Sequence, residues 1–268
     1  MILEISSRID PKKAKSEDDS RYLLSLFLDI AEEMLTSGAE TNRVEDSLFR
    51  ILKSYGYEKV NVFCIPEFIS VSFQDLEGEE VTATRRVYTS SNNMNHLEDL
   101  NALSRYIVKN QPGVTDIYDR LENMPPTSYS DNMFLMALAY FCGSAGFAIF
   151  FHGSILDALI SGIIGIIIML VAKFSMVQNM NKLLFTAISA LISGLIATAI
   201  HMLGYAGNID IVMIGNIMLL IPGLALTTSF RDMLCGDIIA GLIRMVESVM
   251  VAAAIAVGYA IPIFFLGR

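Results

Sequence analysis

Residues 155–171 read ILDALISGIIGIIIMLV, an apolar run whose one charged member is Asp157. As an α-helix this run would be about 26 Å long, nearly enough to cross the roughly 30 Å hydrocarbon layer of a bilayer. Other stretches in the second half of the chain are similarly apolar. The sequence predicts five membrane spans, at Asn132–Phe151, Ile155–Val171, Leu183–Leu203, Ile209–Thr228 and Met245–Phe265.

The charge of the 268-residue chain is divided unequally between its two halves. Residues 1–130 carry 14 Lys or Arg and 22 Asp or Glu, whereas residues 131–268 carry 5 and 6. So few charges cannot cover a water-facing surface, because about a quarter of the residues in a soluble domain are charged. We therefore expect a flexible segment over 1–20, an acidic soluble domain over 21–126 and a membrane domain over 127–268.

Composition also argues against several classes of function. A net charge of −9 argues against binding to nucleic acid, whose phosphates attract basic proteins. The 3 Cys and 3 His are too few and too scattered for a disulfide framework or a metal site, so we expect neither metal nor cofactor. The basic residues between Arg8 and Lys15 precede no apolar core, so we expect no cleavable signal peptide and a cytoplasmic soluble domain.

The soluble half alternates between helical and strand periodicity. Its apolar spacing predicts helices, then three strands, then helices again, which is typical of an α+β domain with a mainly antiparallel sheet. The predicted elements are helices at Tyr22–Leu35 and Val44–Tyr55, strands at Val60–Ile65, Glu67–Phe73 and Val81–Tyr88, and helices at His96–Val108 and Thr115–Asn123. The predicted fold class is thus an α+β cytoplasmic domain followed by an all-α membrane domain of five transmembrane helices.

The densest polar cluster of the soluble half is Gly38–Asp46. One interpretation is a corner between two helices, in which Thr41 or Asn42 caps the second helix and Glu45 completes a capping box with Asn42. The other interpretation is a site whose charged side chains face a partner or a ligand. The residues of that site would be Glu40, Arg43 and Asp46.

The short loops predict the orientation in the membrane. Lys173 and Lys182 lie between the second and third spans, and Arg231 and Arg244 lie between the fourth and fifth. The two remaining turns carry neither Lys nor Arg. Because basic loops stay in the cytoplasm, we expect the N-terminus inside and Arg268 outside.

The fourth predicted span contains Asn216 and the pair Pro222-Gly223 in an otherwise apolar run. Proline removes a backbone donor and clashes with the preceding turn, so the sequence predicts a kink or a break. The simpler interpretation is a kink packed against neighbouring helices. The functional interpretation is a broken helix whose backbone dipoles bind a carboxylate.

Polar residues also mark the start of the fifth span. Asp237, Gly241, Arg244 and Ser248 share one helical face, and Glu247 is spaced to pair with Arg244. Charges at this depth are costly unless they are paired or face a polar cavity. They form either ordinary ion pairs or, as we favour, the polar lining at the inner mouth of a pathway.

Two groups of motifs resemble the threonine/serine exporter family, over nearly the whole chain from about Tyr22. The first group is Gly38–Glu45, Pro66, Val71–Phe73, Arg85–Val87 and Leu100–Arg105, and the second is Pro222-Gly223, Arg231-Asp232, Gly236-Asp237 and Gly241–Arg244. Full-length members of this family carry a second membrane module, which we expect to be absent from this chain. The chain therefore resembles the YjjP-type half of a split exporter.

The resemblance implies export of small hydroxy amino acids, or of dicarboxylates such as succinate, across the inner membrane and driven by the proton gradient. It also implies a small polytopic YjjB-type membrane subunit as partner, in a hetero- or homo-oligomer, and no enzymatic activity. If the chain is an exporter, the polar residues described above are candidates for its transport site. Asn216, Pro222, Gly223 and Arg244 are predicted to bind substrate, and Asp232, Asp237 and Glu247 to couple protons.

Two other classes of function remain open at this point. One is a membrane sensor whose acidic domain binds a ligand or a partner. The other is a membrane-anchored, hydrolase-like enzyme, although the sequence contains no GxSxG or HExxH motif. Five spans with Asn216 and Pro222 inside them favour transport over either alternative.

Overall fold

The computed structural model describes residues 19–75, 78–88, 93–124, 132–177, 180–204 and 207–266. Residues 1–18 of the flexible segment predicted over 1–20, and the predicted domain boundary at Pro125-Pro126, lie outside these residues, whereas residues 19 and 20 are helical. The helices and strands within them are α1 (Asp19–Thr36), α2 (Thr41–Ser54), β1 (Glu58–Ile65), β2 (Phe68–Gln74), β3 (Glu80–Arg86), α3 (Met94–Asn110), α4 (Val114–Glu122), α5 (Met133–Phe150), α6 (Ile155–Val177), α7 (Lys182–Met202), α8 (Ile209–Leu220), α9 (Gly223–Cys235) and α10 (Ile238–Leu266).

The chain divides into two compact units that do not follow the order of the sequence. One unit, here called the sheet unit, holds the described residues between 19 and 124 together with Thr228–Ile243. The other, the helical unit, holds the described residues from 132 to 227 and from Arg244 onward. The end of α9 and the start of α10 therefore belong with the sheet.

The sheet unit is built on an antiparallel sheet of three strands in the order β1-β2-β3. Alternate residues of β2, Ile69, Val71 and Phe73, are buried, because successive side chains of a strand point to opposite faces. Together with the apolar faces of α1 to α4 they form a single core. The three strands have the antiparallel pairing that the sequence predicts, with small shifts at their ends.

The predicted cap of α2 is wrong. The helix begins at Thr41, and its N-cap is Glu40, whose side chain makes no capping hydrogen bond. Glu45 does not reach back to Asn42, because its Oε1 accepts the backbone N–H of Cys64 at 2.7 Å instead. Since β1 is an edge strand, one of its outward backbone donors is satisfied by a carboxylate of α2.

The helical unit contains the apolar helices. Among the described residues, four helices, α5, α6, α7 and α10, are long and apolar enough to cross a membrane, and the broken pair α8–α9 makes five if it counts as one span. The predicted fourth span, Ile209–Thr228, is thus two helices whose axes differ by 55°. The fifth helix starts at Ile238 rather than at Met245, because the chain leaves α9 through a turn at Gly236.

Glycines allow the membrane helices to pack closely. A Cβ on Gly165 of α6 would lie 2.7 Å from the carbonyl oxygen of Tyr140 on α5. A Cβ on Gly258 of α10 would lie 2.8 Å from the carbonyl oxygen of Ala187 on α7. Small residues at helix contacts let backbones approach closely in lipid, where no hydrophobic effect drives association.

Candidate functional site

The break between α8 and α9 lies where the sequence predicts it. The backbone N–H of Ile221 still donates to Ile217 O at 3.1 Å, but Pro222 has no N–H to continue the helix. Helix α9 then starts at Gly223, which is exposed and would have no atom within 4 Å of an added Cβ. The positive end of the α9 dipole therefore begins beside open space.

Asn216 lies one turn before the break, in a fully buried polar junction of three helices. Its Oδ1 accepts the hydroxyl of Ser144 from α5 at 2.7 Å, and its Nδ2 donates to Val212 O at 2.8 Å and to the Ser161 hydroxyl of α6 at 3.3 Å. The hydroxyls of Ser144 and Ser161 are 2.7 Å apart. Because both ends of the amide are engaged, Asn216 joins α5, α6 and α8 in this structure, and its contact with substrate stays a prediction.

The polar start of α10 within the helical unit contains Arg244, Glu247 and Ser248. Ser248 is buried, and its hydroxyl donates to Arg244 O at 2.8 Å. Glu247 accepts from Lys182 Nζ of α7 at 2.9 Å. Both partners of this ion pair are about half exposed, so it contributes at most about 1 kcal/mol. Glu247 thus ties α7 to α10, while its predicted role in proton coupling is untested.

Residues Thr228–Ile243 form a helical hairpin in the sheet unit, here called the 228–243 hairpin. Its turn is at Gly236, whose φ of +104° strongly favours glycine. The backbone N–H of Asp237 donates to Asp232 O at 2.9 Å, which closes the turn. At Gly241 a Cβ would lie 2.6 Å from Ser229 O, so the two arms of the hairpin are in close contact.

An ion pair joins the 228–243 hairpin to the start of α2. Nη1 of Arg231 donates to Oε1 of Glu40 at 2.7 Å. Glu40 is one of the three residues proposed from the Gly38–Asp46 cluster, whereas Asp46 pairs with Arg50 on the exposed side of α2. Glu40 of the first motif group and Arg231 of the second thus meet within one compact unit.

The acidic residues in this part of the sheet unit include Glu45, Asp232 and Asp237. Asp232 is 2% exposed. Burial raises the pKa of Glu45, an effect that the backbone N–H of Cys64 opposes and the charge of Asp237 adds to. Burial also raises the pKa of the Cys64 thiol, and the charges of Glu45 and Asp237 raise it further. The charge of Asp237 thus adds to the effect of burial at both Glu45 and Cys64.

Sequence reasoning did not find Ser144, Ser161 or Glu45 as functional candidates. The two serines belong to small-residue stretches of α5 and α6 that are typical of ordinary helix packing, so their hydrogen bonds with Asn216 leave no trace in the pattern. Glu45 was assigned to a capping box. Its spacing from Asn42 fits that motif, and only the tertiary structure shows that it faces Cys64.

These features define a class of protein. The chain is a multi-pass membrane protein, mostly helical, that also contains a small three-stranded sheet. The sequence model of the ThrE family, described as "Putative threonine/serine exporter", matches residues 25–266. The chain therefore belongs to this family of membrane exporters of the threonine/serine type. Searches of curated proteins and of solved structures find no match.

Proposed function

We propose that this chain is a subunit of a secondary exporter that moves small carboxylate-bearing metabolites out of the cell. The substrates are amino acids of the threonine and serine type or dicarboxylates such as succinate, and the proton gradient drives their export. The observation that carries this proposal is the broken helix at Pro222 in a chain that matches the exporter family over residues 25–266.

The substrate carboxylate binds at the break in this proposal. The start of α9 at Gly223 supplies a helix dipole and open space. Arg244 supplies a permanent positive charge whose planar fork suits carboxylates. Asn216 contributes indirectly, because its hydrogen bonds to Ser144 and Ser161 fix the end of α8 that leads into the break.

The same proposal assigns proton coupling to the acidic residues Asp232, Asp237 and Glu247. A partly buried acid changes its protonation near neutral pH more easily than an exposed one. Asp232 is buried and Asp237 is half-buried, whereas Glu247 is exposed and paired with Lys182. Burial therefore supports Asp232 for this role.

The proposed topology has the sheet unit in the cytoplasm and five crossings. The 228–243 hairpin and residues 19–124 belong to one compact unit, joined by the Arg231–Glu40 ion pair. Both segments must then lie on the same side of the membrane, so the number of crossings between them is even. Helices α5, α6 and α7 account for three crossings. If the broken pair α8–α9 is the fourth crossing, the number between the two segments is even.

The proposal includes a second, small membrane subunit of the YjjB type, in a hetero-oligomer or with further copies of this chain. Gly146 on α5 is exposed and would have no atom within 4 Å of an added Cβ. An accessible glycine on an apolar helix lets another helix approach closely. This feature supports assembly with other membrane helices.

Reconstitution into proteoliposomes tests this function. Proteoliposomes that contain the purified chain, with or without a candidate small membrane subunit, are loaded with threonine, serine or succinate. Efflux is then measured with and without a pH gradient. Gradient-dependent efflux of one of these compounds is the expected result. If no compound moves under any condition, the exporter proposal fails, and threonine binding to the purified chain then supports the sensor hypothesis.

A further inference from the structure

We infer that two copies of this chain pair through strand β3, edge to edge and antiparallel, so that their two three-stranded sheets join into one sheet of six strands. The proposed function includes further copies of this chain but assigns no surface to their contact. This inference goes beyond it by naming that surface, and it does not depend on which compound the chain exports.

Strand β3 has a free edge. The sheet order is β1-β2-β3, so β2 pairs with one side of β3, and no described strand pairs with the other side. A strand edge with unpaired N–H and C=O groups is a template for another strand. Lysine and proline commonly block such edges, and the segment Glu80–Arg86, EVTATRR, contains neither. The edge of β3 is therefore open to a second strand.

Two hydrogen bonds fix which backbone groups of β3 point to this edge. The N–H of Val87 donates to Glu67 O at 2.9 Å, and the N–H of Asp75 donates to Glu79 O at 2.9 Å. The register of β2 with β3 is continuous between these contacts, and hydrogen-bonded pairs alternate with non-hydrogen-bonded pairs along an antiparallel ladder. The odd-numbered residues of β3 therefore turn their backbone groups to β2. The even-numbered residues turn theirs to the free edge, and these are Glu80, Thr82, Thr84 and Arg86.

One register of self-pairing satisfies both the backbone groups and the charges. With Ala83 on the twofold axis, Glu80 lies opposite Arg86 of the second copy, and Thr82 lies opposite Thr84. All four of these residues turn their backbone groups to the partner strand, so each pair exchanges two hydrogen bonds. Opposite charges and threonine pairs across antiparallel strands are stabilising. An axis at Thr82 or Thr84 would place a charged residue opposite a threonine and lose both ion pairs.

The charged side chains are available for this pairing. Glu80 and Arg86 are exposed, and neither forms an ion pair with any described residue. The guanidinium of Arg86 lies 5.1 Å from the ring of Tyr88, which is itself 79% exposed, so this contact does not bury the charge. Arg85 points the other way, and its charge is paired within its own copy, because Nη2 donates to Asp29 at 2.6 Å.

The membrane helps such a small contact to form. One strand from each copy makes an interface that is weak in dilute solution. Copies that are confined to one membrane have a high effective concentration. We therefore expect the pairing in the bilayer and its dissociation when detergent dilutes the chain.

Disulfide cross-linking in membranes tests the pairing and its register. In a chain whose exposed Cys142 and Cys235 are replaced by serine, Ala83→Cys should form a disulfide-linked dimer. Residues that face each other in a non-hydrogen-bonded pair have Cα atoms about 4.5 Å apart, within the range of a disulfide. Glu80→Arg in this background should lose the dimer, because like charges then face each other. Adding Arg86→Glu should restore it.

Val81→Cys is the matched control for the register. Val81 lies on the same strand and face as Ala83 and is likewise half-buried. In the inferred register the two copies of position 81 are four residues apart along the strands, about 13 Å. Val81→Cys should therefore form no disulfide-linked dimer.

Single-molecule photobleaching of the fluorescently labelled full-length chain in bilayers provides a measurement that does not use the cysteine variants. The wild type should bleach in two steps and Thr84→Pro in one. The N–H of Thr84 points to the free edge, so proline removes a donor that the pairing of β3 with β2 does not use, and its ring blocks the approach of a second strand.

Several outcomes would overturn the inference. Two bleaching steps in Thr84→Pro would place the contact elsewhere, and a Val81→Cys dimer as abundant as that of Ala83→Cys would exclude the register. A cross-linked product whose mass is not twice that of the chain would identify a different occupant of the edge. A chain that forms the Ala83→Cys dimer but exports no compound supports the pairing and contradicts only the exporter proposal.

Discussion

Arg231 donates a 2.7 Å hydrogen bond to Glu40, although the two residues are 191 positions apart. The guanidinium is 65% exposed and the carboxylate 23% exposed, so the pair contributes at most about 1 kcal/mol to stability. Its importance is positional. It connects the Gly38–Asp46 cluster with the 228–243 hairpin, the two segments that contain Glu45 and Asp237.

Charge reversal of this pair tests the connection. Glu40→Arg should repel Arg231 and loosen the 228–243 hairpin, while the rest of the sheet unit keeps its stability because an ion pair with a largely exposed arginine contributes little. Hydrogen–deuterium exchange of peptides from residues 228–243 should accelerate in this variant. The double variant Glu40→Arg/Arg231→Glu should return the exchange to the wild-type rate. Equal exchange in all three proteins would show that the ion pair does not hold the hairpin.

Gly215 on α8 should tolerate no side chain. A Cβ there would lie 2.5 Å from Ser161 Oγ and 2.9 Å from Ser144 O, so Gly215→Ala forces α8 away from the Ser144–Ser161–Asn216 junction. We expect a loss of about 1–3 kcal/mol, typical of overpacking. Thermal inactivation of the detergent-solubilised protein measures the effect.

Gly146 provides the matched control for that substitution. It lies on α5, a helix that also contains Ser144, and an added Cβ meets nothing within 4 Å. In the chain purified as a monomer, without the helix that Gly146 is proposed to contact, Gly146→Ala should leave the thermal stability unchanged or raise it slightly, since alanine is the better helix former. If Gly146→Ala and Gly215→Ala lose equal stability, close packing at Gly215 is not the cause.

The fold was more predictable than the site, for a physical reason. Strand alternation and the apolar runs are local patterns, and they predict the antiparallel strands and the apolar helices of the structure. Pro222 predicts the break because a missing N–H is a property of that one residue. The partners of Glu45 and Asn216 depend instead on residues far away in the sequence, Cys64 and Ser144.

The division into two compact units was also not predictable from local sequence patterns. Composition assigns every residue after 127 to the membrane domain, because that half has few charges. The 228–243 hairpin nevertheless belongs to the sheet unit. Its few charged residues include Arg231, whose partner Glu40 cannot be identified from local sequence. A segment with moderate hydropathy can pack on either unit, and tertiary contacts decide which.

The turn at Gly236 should be sensitive to substitution. Its φ of +104° is a conformation that side chains with a Cβ rarely adopt. Gly236→Ala should therefore destabilise the 228–243 hairpin by about 1 kcal/mol or more, which faster hydrogen–deuterium exchange of residues 228–243 would reveal. Gly113→Ala is the control, because Gly113 has φ −72° and open space around it. Unchanged exchange in Gly236→Ala would contradict the prediction.

Cysteine labelling from one side of the membrane tests the proposed topology. In a chain with the exposed Cys142 and Cys235 replaced by serine, Gly207→Cys should react with an impermeant maleimide from outside the cell. Lys182→Cys should react only after the membrane is opened. The reason is that Lys182 is the first residue of α7, whereas Gly207 follows the end of that helix. Labelling of both from the same side would end the five-crossing topology.

Arg244 should be essential for export but not for assembly. The proposal uses its guanidinium to bind the substrate carboxylate, so Arg244→Gln removes the charge while it retains a similar length and a hydrogen-bonding end. Efflux of threonine, serine or succinate should fall to background in proteoliposomes. Membrane insertion and the elution volume in size-exclusion chromatography should match the wild type.

Lys182→Gln is the control for loss of a nearby positive charge. Lys182 pairs with Glu247 on α10, three residues after Arg244, but the pair is about half exposed, so its removal should change stability by less than about 1 kcal/mol and leave efflux near the wild-type rate. Together the two variants distinguish binding of the substrate carboxylate by Arg244 from a general need for positive charge near the start of α10. If Arg244→Gln aggregates or fails to insert, Arg244 holds helices together, and the substrate carboxylate is bound elsewhere.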